Sequence, residues 1–235
     1  MIVVSFALPQ ESQDFVRELR HSSTLSTGAL PVILGNLADR EIAVCHAGVG
    51  PDSARQVIRT FLASEHHERI ETLISAGFAG GLDLQLQIGD LLIGENFSDQ
   101  NLIEKTRQIG DESLFYGKLT TQSHAAELPS QKRALAEKTG ALAVDMETGP
   151  IAQLCAEFKV PMLSVRAISD TAAQSLPVPF PIWFDAEKHK PRIGSLLRFL
   201  ARHPAKIPDF ARFASGIPKA RSELTRFLVQ FVRIM

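Results

Sequence analysis

Short apolar runs alternate along the chain with longer segments in which apolar residues recur every three or four positions. The apolar runs predict buried β-strands at residues 2–7, 42–47, 71–76, 90–94, 141–146 and 161–168. The longer patterns predict helices at about residues 11–20, 52–64, 130–138 and 150–158. Because strands and helices alternate, we expect an α/β layer structure.

The C-terminal part of the chain has a different pattern. Residues 194–200 and 224–232 place apolar side chains at helical spacing with basic residues between them. His203-Pro204 and Ile217-Pro218 are expected to break this part into pieces. We favour amphipathic helices that pack on the main domain and keep a solvated basic face. The alternative is contact with a membrane surface, since a basic face opposite Phe and Leu suits an interfacial helix.

Charge is distributed unevenly, although the net charge of the 235 residues is only -1. From Lys188 onward there are 11 Lys and Arg residues against Asp209 and Glu223, whereas the preceding residues carry 14 basic against 24 acidic side chains. The near-neutral total gives no reason to expect a nucleic-acid partner. The hydrophobic content of 45% is sufficient for one substantial core.

Features that report on the cellular compartment favour the cytoplasm. Cys45 and Cys155 lie far apart and have no closely spaced Cys or His partners, so we expect reduced, buried thiols. The apolar N-terminus has no basic segment before it and is interpreted as a first core strand rather than a signal peptide. No apolar stretch approaches about 18 residues, so we expect no membrane-spanning helix.

Carboxylates follow several of the predicted strands. Glu147 comes after an apolar run and directly before a helix-start signal that contains Pro150. Ser169 and Asp170 end the strand predicted at 161–168, and Glu11 follows the first strand. Each of these carboxylates alone is also typical of a helix cap or a first helical turn. Together, at the sheet edge where α/β proteins bind ligands, they suit chemistry that builds positive charge.

The segment from Ser75 to Leu82 is rich in glycine and follows the strand Thr72–Ile74. Glycines allow the backbone to turn and to approach a ligand closely. The segment lacks the Walker lysine pattern and the full dinucleotide spacing, so we do not expect a nucleoside triphosphate or NAD site. We expect no cofactor and no metal.

Several segments, taken in order, resemble the purine nucleoside phosphorylase superfamily, and most closely its 5′-methylthioadenosine/S-adenosylhomocysteine nucleosidases. They are residues 7–11 (ALPQE), 47–50 (AGVG), 77–82 (GFAGGL) with 88–90 (IGD), 144–147 (VDME) and 165–170 (VRAISD). The resemblance implies an α/β, three-layer nucleoside phosphorylase-like fold with a central mixed sheet flanked by helices. It covers residues 1–175, which would form the catalytic domain, and leaves 176–235 as a basic, amphipathic helical extension.

The resemblance also implies an activity, namely hydrolysis of the N-glycosidic bond of a 5′-substituted adenosine to release adenine. Glu11 would activate the attacking water, and Asp170 would deliver a proton towards N7 of the purine. Asp170 would then have to hold a proton at neutral pH or share one with the base. The substrate-binding residues would be Gly77, Phe78, Ala79, Gly80, Met146, Glu147 and Ser169, of which Met146 and Glu147 line the ribose and Ser169 lies at the base. Nearby carboxylates would stabilise an oxocarbenium-like sugar.

Departures from the family pattern bear on the nucleophile and the substrate. Ser75 and Phe78 stand where phosphorylases carry Arg and Ser or Thr, and no basic loop follows the first strand, so water is favoured over phosphate. A phosphate-dependent phosphorylase and a non-catalytic nucleoside-binding protein are the alternatives. Phe78 replaces a small polar residue and either adds apolar bulk near the sugar or fills core space. The base-stacking aromatic would fall near Ala125, beside Ser123 and His124.

The C-terminal extension resembles a further subgroup. Residues 175–212 are similar to the hopanoid-associated nucleosidases, which implies a second candidate activity, release of adenine from adenosylhopane. A peripheral membrane-surface contact through the basic C-terminal part would accompany it. The superfamily also implies a homo-oligomer, and Trp183 with residues 180–182 is a candidate for an interface or a lid, or for ordinary packing of the tail.

Overall fold

The computed structural model describes residues 1–27, 30–111, 113–185 and 190–235, so residues 186–189 of the predicted extension lie outside the described residues. The strands are β1 (Ile2–Phe6), β2 (Arg20–Thr27), β3 (Leu30–Leu37), β4 (Arg40–His46), β5 (Thr72–Gly81), β6 (Leu91–Gly94), β7 (Leu114–Gly117), β8 (Leu119–Thr121), β9 (Ala143–Asp145), β10 (Met162–Asp170), β11 (Phe184–Asp185) and β12 (Lys190–Pro191). The helices are α1 (Pro9–Glu18), α2 (Pro51–Leu62), α3 (Gln100–Arg107), α4 (Pro129–Thr139), α5 (Thr148–Glu157), α6 (Phe180–Trp183), α7 (Ile193–Arg202) and α8 (Ile207–Ile234).

Ten of the described strands form one mixed sheet. Eight of them follow the order β2-β3-β4-β1-β5-β10-β6-β7, and β9 pairs with β5 and β8. The central strands β4, β1, β5 and β10 run parallel. Every residue of β1 and β10 is buried, as expected for strands that helices cover on both faces. Because these strands are parallel, their carboxyl ends meet at one edge of the sheet.

The two faces of the sheet carry separate cores because alternate residues of a strand point to opposite sides. Ile2, Val4 and Phe6 of β1 belong to a core that includes residues of α1, α3 and α8. Val3 belongs to the opposite core, which includes residues of α2 and α5. The structure is therefore a three-layer α/β fold with a mixed central sheet, which confirms the predicted fold class.

Most predicted elements are present, but several regions differ, and α3, β7 and β8 are among the elements that were not predicted. The glycine-rich segment was expected to be a turn, whereas β5 continues as a strand to Gly81. The reason is long-range pairing, since β10 pairs along β5 as far as Gly80 and β9 pairs with Gly80 and Gly81. The antiparallel hairpin of β2 and β3 was not predicted at all.

The C-terminal helices confirm the helical pattern and differ in packing. The second half of α8 contributes six fully or almost fully buried residues to the core: Ala220, Leu224, Phe227, Leu228, Phe231 and Val232. Pro218 was expected to end a helix, yet it lies inside α8. Burial of the turns that follow it offsets the one backbone hydrogen bond that proline cannot form. By contrast, α7 has no buried residue.

Two sequence expectations about the chain as a whole can be compared with the structure. Cys45 and Cys155 are free thiols in the core, and burial raises the pKa of Cys45 to about 11 and that of Cys155 to about 12. Both thiols therefore stay protonated at neutral pH, as predicted. In the described ranges, no helix combines the length and the apolar character needed to cross a bilayer.

Candidate active site

A cleft of about 490 Å³ opens at the carboxyl ends of β1, β5 and β10. Eight of the nine predicted site residues line it: Glu11, Phe78, Ala79, Gly80, Met146, Glu147, Ser169 and Asp170. The ninth, Gly77, lies beneath Glu11, where a Cβ atom would come within 3.4 Å of Glu11 Oε2. The fold thus brings together residues that are up to about 160 positions apart in sequence.

Glu11 lies in the first turn of α1 and is held by backbone donors. Its Oε2 accepts the N–H groups of Ala7 at 2.9 Å and Leu8 at 3.1 Å, and its Oε1 accepts that of Phe78 at 3.4 Å. Burial raises the pKa of Glu11, and these N–H groups and the charge of Arg166 oppose the rise. A carboxylate with a raised pKa is suited to take a proton from water near neutral pH.

Glu147 is the N-cap of α5, so it lies at a helix N-terminus, as the helix-start signal predicted. Its Oε1 accepts the N–H of Gly50 at 2.7 Å. Gly50 has a φ of 90°, a conformation that favours glycine. Burial and the nearby charge of Asp145 raise the pKa of Glu147 to about 8, against the Gly50 hydrogen bond. A pKa this close to neutrality lets Glu147 donate as well as accept hydrogen bonds.

Asp170 ends β10 and is paired with a cation that sequence reasoning missed. The Nζ of Lys132 in α4 forms a buried ion pair with Asp170 Oδ2, and Ser169 Oγ donates to Asp170 Oδ1 at 2.7 Å. A Cβ atom at Gly80 would lie 3.2 Å from Asp170 Oδ2, so the small residue leaves room for this pair. Asp170 therefore has an ammonium group as its partner, and its role in delivering a proton to the base stays a prediction.

A weak signal for Lys132 exists in the sequence. Residues three and four positions apart lie on one face of a helix. Lys132 shares its face of α4 with Leu135 and Ala136, which pack against a small buried core cluster. A lysine on an apolar helix face is unusual, because a buried charge requires a partner. The partner, Asp170, is on a different element and is not identifiable from the helix alone.

A second buried ion pair supports the floor of the cleft. The Arg166 guanidinium contacts Asp145 Oδ2 at 2.8 and 2.9 Å. It also donates to the Ser75 carbonyl at 2.6 Å, the Ser75 hydroxyl at 2.9 Å and the Thr148 hydroxyl at 2.6 Å. These contacts tie β10 to β5, β9 and α5. Arg166 is therefore occupied by the protein itself.

The opposite side of the cleft is apolar and comes from the C-terminal segments. We call it the apolar half, and it consists of Phe180, Trp183, Leu196, Phe210, Phe213 and Ile217. The rings of Phe180 and Trp183 meet edge to face, with centroids 5.1 Å apart. From the sequence, Trp183 and residues 180–182 were candidates for an interface, a lid or ordinary packing. The contributions of α7 and α8 to the lining of the cleft were not predicted.

Two further expectations concern the base and the sugar. At the position where a stacking aromatic was expected, His124 and Ala125 line the cleft, and the Ser123 hydroxyl lies 2.8 Å from His124 Nδ1. Phe78 both lines the cleft and packs against the main core, so its two alternative roles are compatible. In the described part of the chain, no group of three or more His, Cys, Asp or Glu side chains could hold a metal ion.

Comparisons with known proteins agree with this geometry. Residues 1–126 and 118–201 match the protein family described as the phosphorylase superfamily. The 5′-methylthioadenosine/S-adenosylhomocysteine nucleosidase of Staphylococcus aureus strain JH9 is 27% identical in an alignment of 201 positions, which covers 73% of this chain and 87% of that protein.

Solved structures share the fold at lower sequence identity. The 5′-methylthioadenosine/S-adenosylhomocysteine nucleosidase of S. pneumoniae, solved with a transition-state inhibitor, superposes with a TM-score of 0.74 at 19% identity, covering 99% of this chain and 98% of that one. The futalosine hydrolase of Helicobacter pylori strain 26695 superposes with a TM-score of 0.74 at 17% identity, covering 100% and 97%. The described architecture is therefore common to these proteins.

Proposed function

Because the chain belongs to the phosphorylase superfamily, we propose that it is an N-glycosyl hydrolase that releases adenine from a 5′-substituted adenosine of the methylthioadenosine or S-adenosylhomocysteine type. The observation that carries the proposal is the placement of Glu11, Glu147 and Asp170 around one cleft. The relationship to a nucleosidase over most of the chain supports the same reaction class.

The reaction assigns one task to each carboxylate. Glu11 takes a proton from a water molecule, whose oxygen attacks C1′ of the ribose. The C1′–N9 bond breaks, and its electrons move into the purine, which accepts a proton at N7 from the direction of Asp170. Glu147 and Met146 hold the ribose, and the developing positive charge on the sugar is stabilised by the surrounding carboxylates.

Water is the better nucleophile because the cleft offers little to hold a phosphate. Phosphate sites use Arg or Lys side chains and helix N-termini as donors. Among the described residues that line the cleft, none is Arg or Lys. The two buried cations nearby, Arg166 and Lys132, are paired with Asp145 and Asp170.

The apolar half supports a second candidate substrate with a long apolar 5′-substituent, of which adenosylhopane would be one example. The six side chains of the apolar half present more apolar surface than a methylthio group can cover. Each large apolar side chain that a substituent covers contributes roughly 1.5–3 kcal/mol. The same carboxylates would release adenine from both kinds of substrate.

One assay separates the candidate activities. Adenine release is measured from methylthioadenosine, S-adenosylhomocysteine and a long-chain 5′-alkyl adenosine, each with and without phosphate. Phosphate-independent release from the thioethers supports the first proposal, and release from the alkyl compound alone supports the second. Formation of ribose 1-phosphate would identify a phosphorylase. Bound nucleoside that is never cleaved would identify a non-catalytic binding protein.

We further propose that the mouth of the cleft contacts an anionic lipid surface. Ile193, Leu197 and Ile207 are 63%, 62% and 47% exposed, and we call them the apolar rim. The neighbouring basic residues Arg198, Arg202 and Lys206 are exposed and, within the described residues, form no ion pair. Exposed apolar and basic side chains on α7 and at the start of α8 suit the boundary between headgroups and acyl chains.

Vesicle sedimentation tests this contact. The protein is expected to bind vesicles containing phosphatidylglycerol and to bind phosphatidylcholine vesicles weakly, and Ile193→Ser/Leu197→Ser should abolish binding. Leu84→Ser is the matched control, since Leu84 is 79% exposed and lies away from the rim. Unchanged binding of the double variant would contradict the proposal.

The alternative occupant of the rim is a second copy of the chain. Sedimentation velocity of the same double variant detects it as a loss of the oligomer. The predicted homo-oligomer and the cytoplasmic location remain proposals, the latter supported by the two buried, protonated thiols.

A further inference from the structure

Lys132 is wholly buried and all three of its ammonium protons have acceptors. Its Nζ pairs with Asp170 Oδ2 and donates to the carbonyls of Thr171 at 2.7 Å and Gln174 at 3.1 Å. A lysine ammonium has three donors, so this set is complete. No partner of Lys132 is solvent, and its charge is directed at the one carboxylate that faces the departing base in the proposed reaction.

The two oxygens of Asp170 are each held by a different donor. Oδ1 accepts the Ser169 hydroxyl and Oδ2 accepts the Lys132 ammonium. Both oxygens of Asp170 thus accept hydrogen bonds, and the ammonium of Lys132 lies in direct contact with one of them. A proton on its way to N7 can therefore reach Asp170 from Lys132.

We propose that Lys132 is a positioning residue that orients Asp170 and supplies the proton that Asp170 passes to the leaving purine. This inference rests on the proposed nucleosidase function. A buried ion pair is costly to maintain, so moving its proton from the ammonium to the carboxylate costs less than in water. The location of the pair beside the base gives this proton a direct route to N7.

Each proton that moves in this step has a named donor and a named acceptor. One proton leaves Lys132 Nζ for Asp170 and one leaves Asp170 for N7, so Asp170 ends as a carboxylate and Lys132 as a neutral amine. The C1′–N9 electron pair enters the purine, and the water oxygen forms the new bond to C1′ while its proton goes to Glu11. After product release Glu11 loses its proton to solvent and Lys132 regains one.

A purely structural role for Lys132 is the competing explanation, since the same ammonium also clamps the loop of Thr171 and Gln174. The two roles differ in their dependence on pH and on the leaving group. A structural defect slows every substrate at every pH. Loss of the proton source lowers the rate only for a leaving group that needs protonation. The loss is smaller at low pH, where water can supply the proton instead.

The decisive experiment compares Lys132→Met and Lys132→Arg with the wild type on two substrates. One is the best 5′-substituted adenosine, and the other is the same 5′-substituted ribose with a 4-nitrophenolate leaving group, which departs without protonation. For Lys132→Met we expect kcat on the adenosine to fall about 100-fold at pH 8 and less than about 10-fold at pH 5.5, in the range of general acid catalysis. On the nitrophenyl compound it should stay within about 3-fold. Lys132→Arg keeps a cation and should retain the wild-type pH profile at a lower rate.

Three outcomes overturn the inference. If Lys132→Met lowered kcat equally on both substrates at all pH values, Lys132 would have only a structural role. If kcat were unchanged, Lys132 would have no role in the reaction. If the wild type released adenine from no nucleoside, the proposed function would fail and this inference with it. Failure of the proposed function can be distinguished from failure of the Lys132–Asp170 coupling. The melting temperatures of Lys132→Met, Asp170→Asn and the double variant report whether the two side chains are coupled even if the protein cleaves no nucleoside.

Discussion

The acidic side of the cleft and its apolar half are held by different kinds of contact. On the acidic side, directional bonds fix the carboxylate oxygens: Glu147 accepts the Gly50 N–H at 2.7 Å, and Asp170 is paired with Lys132. In the apolar half, Phe210 and Phe213 are only half-buried and come from the exposed first part of α8. Their positions depend on packing, which has no directional requirement.

The difference separates two functions of one cleft. Bond cleavage requires reacting groups within a fraction of an ångström, and hydrogen bonds from buried backbone supply that precision. Apolar contacts tolerate substituents of varied shape, because only area and volume have to match. Substitutions on the acidic side should therefore lower kcat for every substrate, whereas substitutions in the apolar half should change KM for one class of substrate.

The largest effect is expected at Asp170. Asp170→Asn should lower kcat by about 10²–10⁴-fold for all nucleoside substrates, because the purine loses its route to a proton. If Asp170 served only as an acid, this variant would fold normally. The structure predicts instead a loss of roughly 3–5 kcal/mol in the free energy of unfolding, since Lys132 is left buried without an anion.

Urea unfolding and kcat measured together test this expectation. The matched control is Asp170→Asn/Lys132→Met, which removes both charges. It should recover much of the stability of the single variant and none of its activity. A single variant that is as stable as the wild type would show that the buried ion pair is not formed in solution.

A smaller loss is expected at Glu11. Glu11→Gln removes the base that takes the proton from water, and kcat should fall by about 10²–10³-fold while KM stays nearly constant. The amide oxygen can still accept an N–H from Ala7 or Leu8, so the fold should be preserved. Circular dichroism checks the fold. Retention of full kcat would transfer the role of base to another group.

The apolar half should respond selectively. Phe213→Ala is expected to raise KM for the long-chain 5′-alkyl adenosine by about 10-fold or more, the equivalent of one buried aromatic side chain, and to leave methylthioadenosine unaffected. Phe199→Ala in α7 is the control, because Phe199 is half-buried against His203 and outside the cleft lining. Equal effects on both substrates would mean that the two sides of the cleft are not independent.

The last prediction concerns the stability of the protein rather than its activity. Because the pKa of Glu147 is raised from its ordinary 4.5 to about 8, the folded state binds a proton more tightly than the unfolded state. The free energy of unfolding should therefore fall as pH rises from 4.5 to 8, by at most about 1.4 kcal/mol per pH unit. Glu147→Gln should flatten this dependence in chemical unfolding measured at several pH values. An unchanged slope would assign it to other groups.

Local patterns predicted a large part of the fold. The apolar runs that became β1, β4 and β10 and the helical patterns that became α2 and α5 were identified because burial and helical periodicity are encoded within a few neighbouring residues. The hairpin of β2 and β3 was missed because β2 is polar and rich in serine and threonine, and because Pro31 and Gly35 interrupt the apolar residues of β3. The strand character of Gly77–Gly81 was missed because pairing partners from β9 and β10 impose it.

The candidate site also has features that the local sequence predicts and features that it does not. By itself, the sequence determined the residues that would meet at the sheet edge, since Glu11, Glu147 and Asp170 each follow a strand or begin a helix. The surroundings of these residues depend on the tertiary structure. It places the ammonium of Lys132 beside Asp170, and it brings Phe210 and Phe213 of α8 to the cleft from more than 35 residues beyond Asp170. The physical reason is that burial and backbone geometry act between near neighbours in the chain, whereas charge pairing and cavity shape depend on which distant segments the packed core brings together.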